Sequence, residues 1–172
     1  MKRGSRRIHR WIGLLVVFPS AIVFSTGLLL QFKKQNSWIQ PPTQKGTQKQ
    51  PTVQWNEILE VAKAQPDAEI ASWADIDRLD VRPNKGVIKI RSNSSWELQI
   101  DGSTGAVLSS AYRRSDLIES IHDGSFFSES IKLYVFSANG FGLVILLVTG
   151  MYLWYLPVRS KRIKKARLQK EK

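Results

Sequence analysis

Two histidines, His9 and His122, are the residues of this 172-residue chain best suited to chemistry, because an imidazole can ligate a metal or move a proton near neutral pH. There is no cysteine. That removes disulfides, Fe–S clusters and thiolate zinc sites, and leaves His, carboxylates and Met as metal ligands. Each histidine also has a plainer reading. His9 stands among Arg6, Arg7 and Arg10 as part of a basic cap, and His122 adjoins Asp123 as a capping or loop residue. No glycine-rich phosphate loop and no His-x-x-x-His or Glu-x-x-His spacing occurs, and a Ser/His/Asp triad assembled from scattered residues carries no information. Asp75, Asp77 and Asp80 alternate with Arg78 and Arg82, the pattern of a solvated strand face. No catalytic residue is assigned.

The elements that must position these residues begin with membrane spans. Leu133 to Val158 contains no Lys, Arg, His, Asp or Glu and ends against Arg159, Lys161, Arg162, Lys164 and Lys165. As a helix rising about 1.5 Å per residue it crosses a hydrocarbon core of roughly 30 Å with length to spare. Trp11 to Phe32 is a second uncharged run, preceded by five Lys/Arg in residues 1–10. It is longer than a signal-peptide core, and Lys33-Lys34 follows with no small-residue cleavage site, so it reads as a retained span kinked at Pro19. Small residues at Ala138, Gly142 and Gly150, with polar Asn139, mark a helix interface; a twofold homodimer through it would make a four-helix bundle.

The net charge of +12 sits in the tails, while Lys33 to Ser130 is nearly neutral. Charge flanking apolar spans argues against nucleic acid and for the positive-inside rule, with both termini cytoplasmic and residues 35–130 outside the cytoplasm. Reporter fusions after Gln50 and after Lys172 test this orientation.

The chain therefore divides into a basic tail (1–10), a first span (11–32), a polar linker (33–51), a domain (52–113), an amphipathic pre-membrane segment (114–130), a second span (131–158) and a basic tail (159–172). Within the domain, Trp55, Ile58, Leu59 and Ala62 recur at helical spacing between a cap at Thr52 and a stop at Pro66. Ile88 and Ile90, then Trp96, Leu98 and Ile100, alternate with polar residues as antiparallel strands, and Ala106 to Tyr112 adds another. The expected core is Trp55, Leu59, Ile90, Trp96, Leu98 and Ile100. Ser115 caps a short helix in the pre-membrane segment that carries His122.

Three stretches together resemble the PepSY-associated transmembrane helix family: Arg7-Ile8-His9-Arg10-Trp11-Ile12-Gly13, Ile121-His122-Asp123-Gly124-Ser125-Phe126-Phe127, and Thr149-Gly150-Met151-Tyr152-Leu153-Trp154. Between them, the helix, the strands and the turn Asp101-Gly102-Ser103-Thr104-Gly105 are similar to a PepSY domain, which makes Asp101, Thr104, Gly105, Asp123 and Gly124 the family-motif residues. The resemblance implies an α+β membrane protein, with two transmembrane helices flanking a small extracytoplasmic helix-plus-antiparallel-sheet domain in a bacterial inner membrane. It implies a module that binds a protein, peptide or partner subunit and is linked to iron uptake. It also implies an alternative, a haem b-carrying electron-transfer protein or ferric-chelate reductase component, with His9 and His122 as axial ligands. The two histidines belong at opposite faces of the membrane, so one iron in one chain cannot take both; a homodimer would pair each with its copy.

Overall fold

The structure is a computed structural model that describes residues 2–170; the side chains of residues 2, 3, 162–168 and 170 lie outside that description. The end of the C-terminal basic tail therefore falls partly beyond what is described. The chain forms two compact units, one made of Met1–Ser25 with Ile121–Lys172 and the other of Thr26–Ser120.

Helix α1 runs over Lys2–Gln31, all but its last residues in the first unit, and carries Pro19 in its interior. Helix α4 runs over Ser137–Lys170, entered through a wide π-helical turn at Ile131–Phe136. Both are long and apolar enough to cross a membrane, over Gly4–Gln31 and Ile131–Lys161. They pair antiparallel in a regular register. A Cβ at Gly13 would lie 4.0 Å from Leu146, and one at Gly142 would lie 2.5 Å from Val16 and 3.6 Å from Ile12. Farther along, the Ser20 hydroxyl donates to Asn139 Oδ1 at 3.1 Å. Each step of three or four residues along α1 is thus matched by one of four or three back along α4, so that ridges of one helix enter grooves of the other. Gly142 and Asn139, assigned from sequence to a helix interface, are buried within the chain, whereas Ala138 is exposed.

The second unit is a sheet with one helix across it. Helix α2 (Trp55–Lys63) precedes strands β1 (Ile76–Arg82), β2 (Val87–Ser92), β3 (Trp96–Asp101) and β4 (Val107–Tyr112). The strands pair antiparallel in the order β1-β2-β3-β4. Helix α3 (Arg114–Asp123) follows. The N-terminal cap of α2 is Gln54 rather than Thr52, with Glu57 reaching back to the Gln54 amide at 3.0 Å. Thr52 instead binds the Ser103 carbonyl. Ser115 lies inside the first turn of α3, not at its cap.

Strand alternation gives the sheet two different faces. Ile88, Ile90, Leu98 and Ile100 face Ile58, Ala62, Ala68 and Ile70 in one apolar core. Leu59 and Trp96 border it half-buried. Trp55, expected in that core, is 65% exposed. As the first residue of α2, a turn before Ile58, it meets Trp73 instead, ring edge to ring face at 6.2 Å.

The opposite face carries Lys89, Glu97, Gln99 and Asp101, all buried, because the stretch that composition reads as a linker lies over it. Gln99 spans that stretch, accepting from the Gln44 amide at 2.8 Å and donating to the Pro42 carbonyl at 2.9 Å. The Thr47 amide donates to Asp101 at 2.7 Å, and the Gly46 amide to the Lys85 carbonyl at 2.8 Å. The strap passes so closely that a methyl on Gly46 would overlap the Gly86 carbonyl, and Gly86 itself holds φ +65°. Ile39, 2% exposed, anchors its start.

Candidate functional site

Beneath the strap, Glu97 is the centre of an ionic network. Its carboxylate receives Lys89 Nζ at 2.8 Å, Gln99 Nε2 at 2.8 Å and Arg113 Nη1 at 2.7 Å. Arg113 also bridges to Asp116 at 3.0 Å. Lys89 and Glu97 side chains are 1% and 0% exposed. Burial pulls the Lys89 ammonium below its ordinary value, against the opposing pull of Glu97. Every carboxylate oxygen is occupied by a cation or amide, so the cluster is a structural clasp.

The Asp101 turn is a second clasp. One oxygen of Asp101 accepts from the Ser103 hydroxyl, the Ser103 amide and the Thr104 amide at 2.7, 2.8 and 3.1 Å. These bonds, led by the Ser103 hydroxyl, hold the carboxyl well below the usual carboxylate range. Thr104 Oγ1 accepts from the Ala106 amide. Gly105 turns the chain at φ +71°, packing beside Val53 and Val61. Asp101, Thr104 and Gly105 thus build the β3–β4 hairpin and fasten the strap to it.

Asp123 and Gly124 do the corresponding work at the end of α3. Asp123 accepts from the Ser125 hydroxyl and amide at 2.7 and 2.9 Å and pairs with Lys132 at 3.1 Å. Burial raises its carboxyl, but these partners outweigh that and lower it overall. Gly124 holds φ +85° where any Cβ would press on the Phe136 ring, 2.5 Å away. His122, half-buried, stands one residue before this junction.

His9 lies on α1 against the far part of α4. Thr149 Oγ1 donates to the Ile145 carbonyl at 2.7 Å, so its lone pair can receive Nδ1–H of His9 at 2.8 Å. Nε2 of the ring takes no part in this bond. The junction beside His122 meets Phe136, at the end of the turn that enters α4, and His9 meets α4 at Thr149; thirteen residues at about 1.5 Å rise separate them by roughly 20 Å. A bis-histidine haem does not fit one chain, which offers a single imidazole at each level. Among the described residues no group of three or more His, Cys, Asp or Glu could hold a metal ion.

What the sequence did not single out is an open groove of about 560 Å³ beside strand β1, lined by Trp55, Trp73, Ile76, Arg78 and Leu79. Trp73 is 44% exposed and is held in a short turn capped by Ser72, whose hydroxyl accepts from the Ala74 amide. β1 is an edge strand. The only sequence signal for the groove was two tryptophans in polar surroundings.

Two apolar helices that pair as a hairpin, and a strapped four-stranded sheet with a helix on its apolar face, define a membrane-anchored protein whose small folded domain lies between the spans in sequence. A family model, the PepSY-associated TM region, matches residues 6–172, and the chain belongs to that family. No curated protein and no solved structure matches it.

Proposed function

We propose that this protein is a membrane-anchored binding module that captures an extended polypeptide segment, from a peptide or a partner protein, at the groove beside β1. The observation that carries this reading is the pair of exposed tryptophans, Trp55 and Trp73, set over Ile76 and Leu79 at the flank of an edge strand. An edge offers main-chain donors and acceptors to an added strand, and aromatic pockets beside it select side chains. Such large apolar side chains left in water at a concave site are the usual anchors of an interface. The Lys/Arg excess of the two tails supports an orientation with both termini in the cytoplasm and this domain on the outer side of a bacterial inner membrane, where a role in iron uptake would place it.

The test is selection of short random peptides displayed against the full-length protein in nanodiscs. Enriched peptides should bind at least about tenfold more weakly to Trp55→Ala and to Trp73→Ala. No enrichment, or binding indifferent to both substitutions, sinks the reading.

A second reading is favoured by the His9–Thr149 bond, which engages Nδ1 and leaves Nε2 out. In a homodimer, His9 and its copy, and His122 and its copy, would each supply the two imidazoles a b-type haem takes, and the protein would carry electrons across the bilayer. A reduced-minus-oxidised spectrum of the purified, haem-supplemented protein decides it: a colourless protein removes the reading, and a b-type spectrum weakened by His9→Ala and by His122→Ala supports it.

A further inference from the structure

Four cationic residues line one cavity where the chain leaves the first span. Lys33 and Lys34 follow Gln31, the last residue of that span, and they share a cavity of about 340 Å³ with Arg82, Lys85, Gln40 and Thr43. Two of these charges are already matched: Lys33 pairs with Glu119 at 2.7 Å, and Arg82 with Asp80 at 2.7 Å. Lys34 and Lys85 have no ion pair among the described residues. Both are exposed side chains that line the same concavity, and like charges gathered at one concavity attract an anion.

The concavity is also held in shape before any ligand arrives. Arg82 is clamped by Asp80 through Nε at 2.8 Å and reaches Thr43 Oγ1 through Nη1 at 3.3 Å. The Lys85 backbone is tied to the strap through the Gly46 amide. Pro41 and Pro42, also in the lining, restrict the backbone there. We infer that this cavity binds a phosphate-class anion at the membrane surface. The ligand chemistry is a tetrahedral or diester phosphate whose oxygens take the ammonium groups of Lys34 and Lys85, with Arg82 and Thr43 as the fixed wall. Its height, two and three residues past the end of an apolar span, is that of lipid headgroups, so the source is either an anionic phospholipid or a soluble phosphate compound. This inference is independent of the groove beside β1.

The experiment uses the full-length protein and the double variant Lys34→Gln/Lys85→Gln, with Lys49→Gln as an exposed-lysine control. In one arm, protein extracted from vesicles of phosphatidylcholine and phosphatidylglycerol is examined by native mass spectrometry for retained lipid. In the other, binding of inorganic phosphate is followed by phosphorus NMR line broadening. Retention of phosphatidylglycerol over phosphatidylcholine, reduced about 30-fold in the double variant and unchanged in the control, assigns the lipid headgroup. Phosphate binding with the same dependence on the two lysines, without lipid preference, assigns a soluble phosphate. Absence of both, or either one undiminished in the double variant, overturns the inference.

Discussion

Removing the Glu97 carboxylate is the sharpest perturbation of the sheet domain. Glu97 holds Lys89 and Arg113 where their side chains are 1% and 3% exposed, so Glu97→Ala leaves two buried cations with only the Arg113–Asp116 bridge intact. Breaking a buried pair in this way costs about 3–5 kcal/mol, a large share of the 5–15 kcal/mol that holds a domain together. At about 1.4 kcal/mol per decade, that is a loss of protection from roughly a hundredfold to a few thousandfold. Hydrogen–deuterium exchange of the full-length protein, read on peptides covering β2 and β3, measures it. Asp77→Ala is the comparison, since Asp77 and Arg78 are 50% and 61% exposed and such pairs contribute at most about 1 kcal/mol. The double variant Lys89→Met/Glu97→Leu should recover most of the loss, because Gln99 keeps the Pro42 carbonyl and Arg113 keeps Asp116. A change below tenfold in Glu97→Ala, or no recovery in the double variant, would refute the assignment of Glu97 as the centre of the clasp.

Two other outcomes follow from the same geometry. Gly142→Leu should drive α1 and α4 apart, since even a Cβ there sits 2.5 Å from Val16; in this cysteine-free chain, cross-linking of Gly13→Cys with Leu146→Cys should fall sharply, and an unchanged yield would contradict the register. Asp101 has a folded-state pKa below its unfolded value, so its stabilising effect is fully present above about pH 4 and is lost as pH falls through the lower folded value; Asp101→Asn should be less stable at neutral pH and show a flatter acid-denaturation profile, and identical profiles would count against the turn as a clasp.

Much of this arrangement is legible in the sequence. Uncharged runs with basic flanks give the spans, and the period-two pattern at Ile88/Ile90 and Leu98/Ile100 gives the apolar face of the sheet. The spacing of Gly142 and Asn139 marks a helix interface, although its partner is α1 of the same chain. The strap escaped because its contacts are backbone hydrogen bonds to Gln99, Asp101 and Lys85, which leave no apolar periodicity to read. Trp55 escaped for a related reason: helical spacing gives its face of α2, but not how far the sheet extends beneath the first turn. The Glu97 network looked like an ordinary polar face, since alternation alone does not distinguish water from a covering segment. The site residues proposed from motif, Asp101, Thr104, Gly105, Asp123 and Gly124, lie at turns where backbone and carboxylate geometry is fixed, and none of them faces the groove beside β1.

The bond between Ser20 and Asn139 joins residues 119 positions apart, and this separation sets an order of events during synthesis. At about 5–20 residues per second, roughly 6–24 s pass between the making of the two partners. Throughout that interval the first helix is without its mate, and a serine hydroxyl on a lone helix in lipid turns to a carbonyl of its own helix. The two helices therefore cannot pair until the C-terminal one has been made, and the Ser20–Asn139 contact, whose α4 partner is made first, can form before the His9–Thr149 contact.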